Sequence, residues 1–211
     1  MPLYKRNQAM SRRMRRFIFI LCITILALLV FLDNSYFRHK WQPGSKSQTQ
    51  TQNSDFEKYH SKNFTVIKVV DGDTLDIDHA DDQSSYTRIR LLGIDAPEVN
   101  SESGSMYFSA QATDFTEKTV LGKQVTIYLD EGNDTRGKYG RLLAYLKLSD
   151  GKFLNEIMVT EGFAYADTRF RHSFYNKYNQ LQSRARTNKK GLWLNVTPDR
   201  MPQWMQEKES N

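Results

Sequence analysis

One cysteine, Cys22, occurs in 211 residues. That scarcity excludes a disulfide framework and any multi-cysteine metal site. The chain is too short for a long multidomain architecture and contains no internal repeat. Disorder throughout is excluded in turn, because 39% hydrophobic and 12% aromatic residues suffice for a core. A basic excess is missing where a nucleic-acid surface would need it. The formal net charge is +6, but Lys5, Arg6, Arg12, Arg13, Arg15 and Arg16 cluster at the start without one acid. Residues 17–62 hold five basic and three acidic side chains, and residues 63–211 hold nineteen and twenty-one. Net charge is therefore no argument for nucleic acid.

The segment after the basic cluster is apolar. Phe17 to Leu32 is sixteen residues with Thr24 the one clearly polar side chain. As a helix it would span roughly 24 Å, slightly short of a bilayer core of about 30 Å. Arginines before it and a polar stretch after it fit the positive-inside pattern. Residues 1–16 then form a basic cytoplasmic tail, residues 17–32 a transmembrane signal-anchor, and the remainder faces the exterior. A cleaved secretory signal and a mitochondrial targeting tail compete with that reading. Bulky Val30, Phe31 and Leu32 at the end of the run disfavour cleavage. Residues 33–62 read as a flexible polar linker, since Gln42 to Ser54 has no apolar periodicity and cannot bury enough surface to fold.

Residues 63–195 carry the pattern of a folded domain, with 196–211 as a C-terminal tail. Phe64–Val70 and Thr74–Asp78 flank Asp71-Gly72-Asp73 and predict a hairpin. Thr87–Ile94, Gln124–Leu129 and Arg141–Leu148 predict three further strands by their alternation. Helical spacing appears over Ser109–Leu121, Phe153–Glu161 and Phe174–Thr187. Five short strands with interspersed helices make an α+β class, compatible with a small five-stranded barrel. Charge is lopsided: residues 63–135 carry five basic and fourteen acidic groups, residues 136–211 fourteen and seven. An acidic half can hold a divalent cation and a basic half phosphates, although solvated faces can also segregate along a sequence.

Three clusters carry chemistry. Asp71-Gly72-Asp73-Thr74 is either a plain hairpin turn or a place where Asp73 meets a cation. Arg90-Leu91-Leu92-Gly93-Ile94-Asp95-Ala96-Pro97-Glu98 runs from an apolar strand into a loop with two carboxylates. Pro97 keeps Ala96 extended. A hard cation takes oxygen ligands, so Asp73, Asp95 and a carbonyl beside Asp95 could form a set. The plain readings are an exposed loop acid for Glu98 and a barrel-face salt bridge for Arg90. Gly137-Lys138-Tyr139-Gly140-Arg141 lets a backbone approach a ligand, and Arg141 offers a planar fork for phosphate; a loop of solvated cations is the alternative.

In this order the three motifs DGDT, RLLGIDAPE and KYGR resemble the thermonuclease (staphylococcal nuclease-like) family over about residues 63–195. The resemblance implies a five-stranded OB-fold β-barrel with three helices and a calcium-dependent nuclease acting on DNA and RNA, single-stranded or frayed. It implies Ca2+ on Asp73, Asp95 and the main chain of Ala96, where the family often has threonine. It further implies Glu98 as general base, Arg90 and Arg141 on phosphate, Lys138 and Tyr139 lining the substrate site, and 3′-phosphate products. The loop after Glu98 lacks the lysines found in some members. The stretch after Gly162 leaves the base-stacking aromatic open among Tyr165, Phe170 and Tyr175. Arg169, Arg171, Lys177, Arg184 and Arg186 would track a nucleic-acid backbone. No obligate protein partner is inferred. A catalytically silent nucleic-acid- or protein-binding module tethered to the membrane is the alternative, and a membrane scaffold a further one.

Overall fold

The computed structural model describes residues 48–82, 84–99 and 104–210, together with positions 13, 14 and 21. Residues 48–211 form one unit and residues 1–47 another. The apolar run 17–32 lies outside the described residues except for Leu21. Among the described residues no helix is long and apolar enough to cross a membrane.

Alternating apolar residues build strands β1 (Lys62–Val69), β2 (Thr74–Ile77), β3 (Thr87–Leu91), β5 (Gln124–Tyr128) and β6 (Leu142–Lys147). They close into the expected five-stranded barrel, in the order β1-β2-β3-β6-β5. All pairings are antiparallel except β3 with β6. Their inward side chains, among them Val66, Leu75, Ile77, Ile89, Ile127 and Leu146, are fully buried in the barrel core. Closure also leaves none of the five strands with an unpaired edge. Two short strands stand outside the barrel: β4 (Ile94–Asp95) pairs with β7 (Tyr165–Ala166).

Five α-helices accompany the barrel among the described residues, two more than expected. Helices α2 (Ser109–Val120), α3 (Leu154–Thr160) and α4 (Tyr175–Thr187) are the expected three. The first addition corrects the linker reading over its described part, residues 48–62 (residues 33–47 lie outside the described residues), because Gln48–Tyr59 is helical (α1) and docked. Its composition is that of a tether, but its last turn is not. Tyr59 is fully buried and shares a 3.0 Å hydrogen bond with Thr87 Oγ1. Asp55, also buried, accepts from Arg136 at 2.6 and 2.8 Å and from Thr135 Oγ1 at 2.7 Å. Such a paired charge keeps its partners fixed, since breaking a buried pair costs about 3–5 kcal/mol.

The second addition corrects the tail. Gln203–Ser210 is a helix (α5), and Met201 and Met205 are buried in a small second core with Tyr165, Ala185, Leu192 and Trp193. That core fixes the C-terminal segment against α4 and β7.

Gly93 joins β3 to β4 with φ +79°, the left-handed region. A β-carbon there would stand 2.3 Å from the His172 ring. His172 has little freedom to retreat, because its Nδ1 lies 3.0 Å from the Tyr145 hydroxyl, which donates to Asp130 Oδ2 at 2.7 Å. Gly93→Ala should therefore combine left-handed strain with overpacking, roughly 2–4 kcal/mol in all. Thermal unfolding followed by circular dichroism should show Tm lower by about 5–15 °C. A change under about 2 °C would mean the ring moves aside freely.

Candidate active site

The β1–β2 turn, the end of β3 and the β4 segment converge at one end of the barrel. The turn is made by Asp71, whose Oδ1 accepts from the Asp73 N–H at 3.0 Å. Gly72 is required at its tip, where a β-carbon would meet those of Ala96 at 2.7 Å and Ala112 at 3.0 Å. Pairing of Thr74 with Arg90 sets Asp73 beside β3, and its carbonyl accepts from the Leu91 N–H at 2.8 Å. Pairing of Asp95 with Tyr165 pins the second carboxylate.

Arg90 bridges the two acids. Its Nη1 lies 2.7 Å from Asp73 Oδ2, and its Nη2 donates to Asp95 Oδ1 at 2.7 Å. Nη1 also donates to the carbonyl of Ile94 at 2.9 Å. The Ala96 N–H donates to Asp73 Oδ2 at 2.5 Å, closing the loop onto the turn. Arg141, at the entry to β6, reaches Thr74 Oγ1 at 3.4 Å. Glu98 is exposed at the mouth.

Electrostatics ties the group together. Burial pushes the Asp73 carboxyl well above its ordinary range; Arg90 opposes that, while Asp71 and Asp95 add to it. Partial desolvation likewise raises Glu98, with Asp71 and Asp95 adding and Arg90 and Arg141 opposing. Asp71, Asp73, Asp95 and Glu98 thus crowd together, opposed by Arg90, Arg141 and Arg169. This set fits a hard cation, which takes oxygen ligands and would relieve the crowding. Among the described residues no three His, Cys, Asp or Glu side chains close around one point as a ready-made metal cage. A site of two carboxylates plus main chain would not form one.

The structure thus brings Asp73, Arg90, Asp95 and Ala96 into direct contact, with Arg141 and Glu98 at the margin. Lys138 and Tyr139 stay at the rim. Tyr139 is 76% exposed, with the Lys138 ammonium 5.5 Å and the Arg141 guanidinium 5.7 Å from its ring.

Residues 88–195 match the family model described as staphylococcal nuclease homologue. The chain belongs to that family. An uncharacterized endonuclease of Escherichia coli O157:H7 is 34% identical over 146 residues, covering 66% of this chain and 81% of the relative. A thermonuclease of Staphylococcus hyicus is 31% identical over 138 residues, covering 64% and 78%. An uncharacterized protein of Methanocaldococcus jannaschii is 26% identical over 212 residues, covering 87% and 96%.

Within this staphylococcal nuclease homologue some expectations change. Of the three aromatics considered for base stacking, Tyr165 is buried against Trp193, and Arg171 lies 4.1 Å over Tyr175. Phe170 is the exposed ring, at 65%. Three of the five cations expected to track a backbone are engaged inside the fold. Arg169 pairs with Asp167 at 2.8 Å and Asp95 at 3.2 Å, Lys177 with Glu156 at 2.6 Å, and Arg186 with Glu209.

Two site neighbours escape a sequence reading altogether. Asp71 is quoted within its turn, but its electrostatic reach to Asp73 and Glu98 needs the fold. Trp204 comes from the expected tail, 109 residues from Asp95, and its Nε1–H donates to Asp95 Oδ2 at 2.8 Å. No local motif carries that contact.

Proposed function

We propose that the protein is a calcium-dependent nuclease that cleaves DNA and RNA, single-stranded or frayed, with little sequence preference. Its family membership, with relatives named thermonuclease and endonuclease, makes it a hydrolase of phosphodiester bonds. The observation that carries the finer reading is the Arg90 bridge between Asp73 and Asp95, with Glu98 and Arg141 at its open side.

In this reading Asp73, Asp95 and the main chain at Ala96 hold the cation. Bound calcium supplies charge neutralisation at a phosphate oxygen. Glu98 takes a proton from the attacking water, and its raised pKa makes it a better base than an ordinary carboxylate. The water oxygen forms a new bond to phosphorus opposite the leaving 5′-oxygen, which departs with its electron pair, takes a proton from solvent to become a hydroxyl, and leaves a 3′-phosphate. Arg90 and Arg141 donate charge-assisted hydrogen bonds to the equatorial oxygens as negative charge builds. Lys138 and Tyr139 flank the phosphate, and exposed Phe170 is the ring on which a base stacks.

The apolar run 17–32 serves as the anchor, with the basic tail cytoplasmic and the nuclease domain outside, where calcium is plentiful. A secreted form after signal cleavage and a mitochondrial location are the other outcomes for this segment.

The test is incubation of the purified chain with end-labelled single-stranded DNA and RNA of equal sequence in calcium. Both should be cut internally at many positions. Binding of both without cleavage would support the silent module instead.

A further inference from the structure

Trp204 lies outside the residues that match the family, yet it touches the carboxylate at the centre of the site. Its surroundings hold it there. The Arg169 guanidinium covers its face at 4.9 Å, and Tyr165 meets it edge-on at 6.4 Å. Helix α5 is tied to the preceding turn by Gln206 Nε2, which donates to the Met201 carbonyl at 2.7 Å. Its far end is tied to α4 by the Arg186–Glu209 pair. The indole is a fixed donor rather than a passing contact.

The donors on Asp95 divide unequally. Oδ1 receives Arg90 Nη2 at 2.7 Å and Arg169 Nη2 at 3.2 Å, both cationic. Among the described residues, Oδ2 receives the neutral indole N–H alone. A carboxylate oxygen has two lone-pair directions, so Oδ2 retains one after the indole is bound. Rotation about the carboxylate torsion is otherwise soft, with a broad energy well. With Trp204 in place the plane of the carboxylate is set from both ends, and the free direction on Oδ2 points at a constant angle. A neutral donor does this without adding positive charge next to a cation.

We propose that Trp204 is a positioning residue that orients Asp95 for cation binding, so that the C-terminal helix completes the active site. The inference rests on the reading of Asp95 as a calcium ligand. Donors behind metal ligands typically change metal affinity about 10–100-fold when removed.

The experiment uses the full chain with calcium as the probe. Trp204→Phe keeps the ring against Tyr165 and Arg169 but removes the N–H. Calorimetric titration should show a calcium Kd raised about 10-fold or more, with Tm in chelator nearly unchanged. In the wild type, the Trp204 indole Nε1–H resonance should move on calcium addition. Asp95→Asn serves as the control for the underlying reading. If the wild type and Asp95→Asn bind calcium equally, or neither binds, the assignment of Asp95 as ligand falls and the inference falls with it. If Asp95→Asn loses binding while Trp204→Phe binds within about twofold of wild type or tighter, the inference alone is overturned. Should Trp204→Phe fail to fold, the wild-type resonance decides: a calcium-insensitive Nε1–H overturns the inference and a calcium-dependent shift supports it.

Discussion

Glu98→Gln should lower kcat on single-stranded DNA by about 10²–10⁴-fold, the usual share of a positioned general base. Glutamine preserves the shape of the side chain but cannot take the proton from water. The carboxylate is exposed and outside the hydrogen-bond network that closes Asp73 onto Ala96, so folding should not register the change. Calcium affinity should change little, because Asp73 and Asp95 remain. Steady-state kinetics beside a thermal melt makes the comparison. A variant within about threefold of wild type would show Glu98 to be an ordinary loop acid.

Arg141→Lys should lower kcat by at least about 10²-fold, on the scale of a lost oxyanion donor. Lysine keeps the charge but not the planar fork that meets two phosphate oxygens at once. Arg141 contributes little to stability. Its hydrogen bond to Thr74 Oγ1 is long at 3.4 Å, and its stacking partner Tyr139 is mostly in solvent. Tm should therefore stay within a degree or two while turnover collapses. Near-normal turnover would reduce Arg141 to a surface cation.

The barrel was legible because its evidence is local. Leu75 and Ile77 alternate with polar neighbours, Ile89 and Leu91 do the same, and all four are buried. The site motifs were legible through their resemblance, in order, to a known family; strand alternation by itself placed only Asp73 and Arg90 at neighbouring strand ends. What stayed hidden depends on contacts between distant segments. Helix α1 looks like a tether because Gln48 to Ser54 is polar, and it forms because Asp55 and Tyr59 find Arg136 and Thr87. Trp204 is a lone aromatic in a polar tail until α5 packs through Met205, beside Met201, on Tyr165, Ala185, Leu192 and Trp193. Strands β4 and β7 are two residues each, too short to show any period. The cations of α4 read as a nucleic-acid track, yet Lys177 and Arg186 are matched by Glu156 and Glu209 from other helices. Charge counted along a sequence does not reveal which charges are paired.

The central claim is that a loose, oxygen-only site built on Asp73 and Asp95 makes phosphodiester cleavage depend on calcium. The most direct measurement is turnover of a labelled single-stranded DNA oligonucleotide by the purified full chain during stepwise metal exchange. Cleavage should proceed in calcium, stop in chelator, return on calcium, and fail to return on magnesium, which demands a tighter octahedral cage. Full turnover in magnesium with calcium rigorously removed would contradict the account.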